Sequence, residues 1–209
     1  MIKLFKNNIF LKEDNYFVLL TKITIVSILL LFSNGLMFAN NFYFSLIGVC
    51  LFFLSFVLMF LFKLKIFKFE RIQTKTILKS FLILILMIGI IYSIDYISHH
   101  MTYNNVSKQT SLSNLSVKNL INIIIISPIV EEIIFRSFLI TGLFRRFQFL
   151  GFLFSSLSFS LFHSPDNLFA FLIYLVIGLI LGISLLLFKR LEIPILIHCC
   201  YNLSVIFIF

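Results

Sequence analysis

Charge is what this sequence has least of. Only 12% of its 209 residues are charged, against 61% that are hydrophobic and 29 that are Phe, and the mean hydropathy is +1.12. Soluble domains run at about 45–50% apolar residues. The shortage therefore excludes a water-soluble globule, which needs a polar face on every surface element. Cysteine is also scarce. Cys50, Cys199 and Cys200 each lie within an apolar run, so no disulfide framework is implied. There is no glycine-rich phosphate loop, no basic stripe interleaved with aromatics, no internal repeat and no HExxH. Nucleic acid is thereby excluded as a partner in spite of the net charge of +9.

What is present is a series of apolar runs at 16–39, 42–62, 80–97, 120–144, 147–163, 167–188 and 191–209. Each approaches the ~20 residues of a bilayer crossing. The basic residues test this division, because Lys and Arg accumulate in alternate connections of a membrane bundle. One side receives Lys3, Lys6, Lys12, Lys63, Lys65, Lys68, Arg71, Lys75, Lys79, Arg145, Arg146, Lys189 and Arg190; the other receives Lys108 and Lys118. The expectation is an all-α polytopic membrane bundle of about seven helices, with a cytoplasmic amino terminus and an uncleaved first helix. Residues 1–117 would hold three helices, a basic interfacial helix at 63–79 and a solvated outer loop at 98–116 that includes His99 and His100. Residues 118–209 would hold a four-helix core. The net positive charge then reads as an orientation signal.

Ionisable groups inside the spans carry the chemical information, since each costs at least ~2–3 kcal/mol to place mid-membrane. The fourth run has Glu131, Glu132 and Arg136, the fifth Phe159 and His163, and the seventh His198 and Asn202. Residues four apart share a helix face, so Glu132 pairs with Arg136 in a structural, register-fixing role while Glu131 points elsewhere. A carboxylate so placed suits a general base. Pro128 lacks a backbone donor and disturbs the preceding turn, making room for water or a substrate backbone. His198 and Asn202 form a compact patch able to donate to an oxyanion. Phe159 is expected to pack beneath the site. Gly178 and Gly182 give a small-xxx-small spacing for close helix packing, and Cys199 and Cys200 carry no chemistry.

The order EExxxR (Glu131, Glu132, Arg136), FxxxH (Phe159, His163), HxxxN (His198, Asn202) resembles the CPBP family of intramembrane proteases, which includes type II CAAX prenyl endopeptidases, Abi proteins and bacteriocin-immunity proteins. The resemblance covers residues 120–209. It implies hydrolysis of a peptide bond in a membrane-associated peptide or protein. In that picture Glu131 and His163 activate water, His198 and Asn202 stabilise the oxyanion, and Glu132 and Arg136 shape the site. No cofactor is expected. The alternative is a metallopeptidase in which Glu131, His163 and His198 hold a divalent metal such as zinc, against which the missing HExxH counts. Two other functions stay open: a nonenzymatic bacteriocin self-immunity or scaffold protein, and a proton-coupled transporter, disfavoured by the lack of an inverted repeat. The Ile-, Phe-, Lys- and Asn-rich composition points to a bacterial plasma membrane. One discrepancy remains. Measured at ~1.5 Å per residue from the basic connections, Glu131 lies ~21 Å deep, His163 ~24 Å and His198 ~11 Å, so straight perpendicular helices would not bring them together.

Overall fold

A computed structural model describes residues 15–68, 70–101 and 116–208. Seven helices and no strand occur among them. These are α1 (Tyr16–Met37), α2 (Phe42–Leu61), α3 (Thr74–Met101), α4 (117–143), α5 (Gln148–Phe162), α6 (Leu168–Phe188) and α7 (Glu192–Ile208). The chain is a helical membrane bundle. Of the seven expected crossings, α1, α2, α3 and α6 are long and apolar enough to span a bilayer. At ~1.5 Å per residue the 15 residues of α5 reach only about 22 Å, short of the ~30 Å hydrocarbon core. Its carboxyl end, and His163 with it, therefore falls short of a full crossing.

Helix ends follow local chemistry. The Asn41, Ser116 and Asn167 side chains accept from backbone N–H groups in the first turns of α2, α4 and α6. Lys63, Ser164 and Lys189 adopt left-handed φ values of 55°, 49° and 56° just past the ends of α2, α5 and α6, the position that stops a helix and that glycine usually fills.

Helix α4 is wound unusually. Residues Asn122–Ile126 and Glu132–Leu143 are π-helical, separated by one α-turn at Ser127–Glu131. Bonds from i to i−5 put more residues into each turn, so α4 is shorter than its residue count suggests. Pro128 explains part of this. In a continued π pattern its N–H would serve the Ile123 carbonyl; having none, it leaves that carbonyl to the Asn202 side chain of α7, which donates at 2.9 Å.

Polarity is inverted relative to a soluble protein. Phe17, Phe42 and Phe60 are more than 70% exposed, whereas Ser33, Ser55, Ser155, Ser156, Ser160 and Ser184 are buried. Small hydroxyls between helices allow close approach. Ser155 donates to the Phe135 carbonyl, joining α5 to α4, and Ser160 to the Phe171 carbonyl, joining α5 to α6. The expected glycine contact is also found: a Cβ on Gly178 would stand 3.0 Å from the Ser156 carbonyl oxygen, and one on Gly182 would strike the Phe152 ring.

The connections segregate to two ends. At one, Tyr16 donates to the Leu143 carbonyl, Arg145 lies over the Tyr16 ring, and Arg190 donates to the Lys68 and Glu70 carbonyls. At the other, Lys118 donates to the Ala39 carbonyl and to Ser45. Sequence and structure differ at residues 63–79. Residues 64–68 and 70–73 are not helical, and 74–79 are the first turns of α3. Leu64 and Ile66 are buried, with Lys65 exposed between them. The Lys68 N–H donates to the Glu192 carboxylate. The polar backbone of this stretch is thus met by the α6–α7 corner, which no helix wheel drawn on 63–79 reveals. The outer loop is shorter than expected, because α3 continues through residue 101; residues 102–115, and Lys3, Lys6 and Lys12, lie outside the described residues.

Candidate active site

The polar residues of three helices meet in the wall of a cavity of about 470 Å³. Glu131 comes from the α-turn of α4, His163 from the carboxyl end of α5, and His198 from the second turn of α7. The Glu131 Oε2 atom lies 3.9 Å from His163 Nε2 and 3.8 Å from His198 Nε2, and no hydrogen bond within the protein occupies it. The depth discrepancy is thereby resolved. The π turns shorten α4. In addition, the start of α7 is not at the bundle surface: residues 64–68 pack over it, with Leu64 and Ile66 in the same core cluster as Leu191 and the Lys68 N–H on Glu192, and Leu191 and Ile193 are buried. Depth counted from Arg190 therefore underestimates how far in His198 sits.

Each imidazole is oriented by its other nitrogen. His163 Nδ1 donates to the Phe159 carbonyl at 2.8 Å, and His198 Nδ1 donates to Glu132 Oε1 at 3.1 Å. Both Nε2 atoms are left facing Glu131. As expected, Glu132 pairs with Arg136, Oε2 to Nε at 3.1 Å, with both side chains at 0% exposure. The contact of Glu132 with His198 is the part sequence spacing does not show, since it joins α4 to α7. Phe159 lies between the charged groups: Arg136 Cζ is 4.6 Å from its ring centroid, and the rings of His163 and His198 are 4.5 and 5.8 Å away. It packs beneath the site as expected and also lines the cavity. The guanidinium meets the ring face as a cation–π contact, so the ring supports Arg136 and holds it apart from the imidazoles.

Asn202 also lines the cavity, but one of its amide hydrogens is committed to the Ile123 carbonyl. Among the described residues no acceptor is found for the other. Tyr174 of α6 was not singled out in the sequence. Its ring stacks on His163 with centroids 4.3 Å apart and planes within 22°. No motif marks it among the other aromatics of α6; only the fold puts it there.

The donor set can be compared with a metal site. Bonds of 2.0–2.2 Å in a tetrahedron require donor separations of about 3.4 Å, and here the histidine–glutamate separations are 3.8–3.9 Å. Both separations exceed that value, so a metal held by Glu131, His163 and His198 would draw each histidine a few tenths of an ångström closer to Glu131.

Residues 113–204 match the family model described as type II CAAX prenyl endopeptidase Rce1-like. Comparisons with curated proteins and with solved structures give no match. The matched stretch holds all the polar residues of the three motifs, and α1 to α3 lie outside it.

Proposed function

We propose, from the match of residues 113–204 to the type II CAAX prenyl endopeptidase Rce1-like family model, that the chain is an intramembrane endopeptidase that cleaves a membrane-associated peptide with a glutamate-activated water. One observation carries this reading: an uncommitted Glu131 carboxylate oxygen faces two oriented imidazoles across a cavity inside a membrane bundle.

Charge balance supports a mechanism. The buried cluster holds two carboxylates, Glu131 and Glu132, against one guanidinium, Arg136. An excess negative charge is costly away from water, and one proton shared between Glu131 and His198 removes it. With that proton on His198, the imidazolium donates from Nδ1 to Glu132 and presents Nε2–H to the cavity. Glu131, as carboxylate, takes a proton from the water held beside His163 while the water oxygen bonds to the scissile carbonyl carbon. The carbonyl π electrons move onto oxygen, and the resulting oxyanion is met by His198 Nε2–H and the second amide hydrogen of Asn202. Collapse breaks the C–N bond, and the leaving amine receives its proton from Glu131. Glu132 fixes His198, and Arg136 neutralises Glu132.

The composition and basic connections support a bacterial plasma membrane with those connections in the cytoplasm. Reconstituted protein tested on fluorogenic transmembrane peptides checks the reading. Glu131→Gln is expected to lower kcat by about 10²–10⁴-fold with an unchanged melting temperature. Equal cleavage by wild type and variant would overturn it, as would full inhibition of the wild type by a chelator, which would move the chemistry to a metal held by Glu131, His163 and His198.

A further inference from the structure

The cavity has a wall that the three motifs do not supply. Asn34 of α1 and Phe38, the residue just past the end of that helix, line it together with Ser127 of α4. Ser127 is one helical turn before Glu131, on the same face. Its hydroxyl donates to Asn34 Oδ1 at 3.1 Å. That bond uses the amide oxygen of Asn34 and fixes which way the group faces. Among the described residues no hydrogen bond from Asn34 Nδ2 is found, and Asn34 lines the cavity. Asn34 is half-buried in the cavity wall, and an amide donor without a protein partner there is available to the polar backbone of a bound peptide.

A peptide bond inside a helix is shielded, and hydrolysis requires that its backbone be unwound. Unwinding releases N–H and C=O groups that lipid cannot satisfy. We propose that Asn34 and Ser127 form a binding subsite for the extended backbone of the substrate: Asn34 Nδ2 donates to a substrate carbonyl, and Ser127 Oγ, through its free lone pairs, accepts a substrate N–H. The pair offers one donor and one acceptor side by side, the complement of an extended chain edge. Recognition of this kind reads backbone and not sequence. The proposal rests on the endopeptidase reading and assigns a substrate-positioning role to α1, which the matched stretch does not reach.

The test uses the full chain in proteoliposomes and the most rapidly cleaved member of a panel of fluorogenic transmembrane peptides. Asn34→Leu is expected to raise KM at least tenfold while kcat stays within threefold, with the melting temperature retained. An ester scan of the same peptide, replacing one backbone amide at a time, is expected to find a position where the wild type loses affinity and Asn34→Leu loses nothing further. If Asn34→Leu does not fold, Asn34→Ala and Ser127→Ala carry the same expectations. A KM rise below threefold, or an ester penalty unchanged in the variant, overturns the subsite while Glu131-dependent cleavage stands. Cleavage that survives Glu131→Gln, or a wild type that cleaves no peptide of the panel, overturns the endopeptidase reading and the subsite with it.

Discussion

Adjacent glutamates of the fourth helix have different surroundings and therefore different expected phenotypes. Glu132 is sealed between Arg136 and His198, so Glu132→Ala leaves a buried guanidinium without its carboxylate. Loss of one partner from such a pair costs about 3–5 kcal/mol, and a chemical melt in detergent is expected to show it. Glu131→Gln changes no packed ion pair of that closeness and is expected to keep stability while losing turnover. Tyr174 meets the candidate site through its stack on the His163 ring. Tyr174→Phe retains the stack and is expected to stay within about twofold of wild type, whereas Tyr174→Ala loses a ring contact worth about 0.5–1.5 kcal/mol, or roughly two- to tenfold in kcat. The glutamates, histidines and Asn202 were legible in the sequence because an ionisable or amide side chain in an apolar run is conspicuous. Tyr174 and Asn34 were not, since a tyrosine among aromatics and a single asparagine near a helix end look like packing and capping until the fold places them.

Among the elements, α4 departs most from what periodicity conveys. The 3.6-residue wheel correctly put Glu132 with Arg136 and turned Glu131 away. It could not show the π windings on either side; at Asn122–Ile126 the i to i−5 pattern is tied to the Pro128 gap and to the Asn202 amide that fills it. Pro128→Ala supplies the missing N–H and competes with Asn202 for the Ile123 carbonyl. Removing a proline from a helix interior is worth up to ~3 kcal/mol, so this variant is expected to melt higher and to turn over more slowly. A lower melting temperature with unchanged turnover would contradict the assigned role of the proline. On α6, Gly178→Val is expected to cost about 1–3 kcal/mol, since the Ser156 backbone leaves no room for a side chain. The stretch at 63–79 was misjudged for a related reason. Its alternation of basic and apolar residues suits an interfacial helix equally well as an extended strap, and the deciding contacts come from Arg190 and Glu192, more than a hundred residues away.

For the whole molecule, the apolar runs and the basic connections were enough to give a seven-helix bundle with two chemically distinct ends. The cavity lies in the half of the bundle away from the basic connections: Asn34 is near the carboxyl end of α1, His163 ends α5, and Ile123 is near the start of α4. With those connections cytoplasmic, the site is reached from the outer half. In a protein whose own three cysteines are replaced, Phe38→Cys is expected to react with an impermeant thiol reagent added outside intact cells, and labelling only from the cytoplasmic side would reverse the orientation. Hydrolysis itself is read most directly in water enriched in ¹⁸O, by comparing membrane peptides from cells carrying wild type or Glu131→Gln. The expected result is a set of peptides present only with wild type, each with one ¹⁸O atom in its new carboxyl terminus. Peptides that are the same in both strains, or new termini without the label, would contradict a Glu131-activated water as the nucleophile.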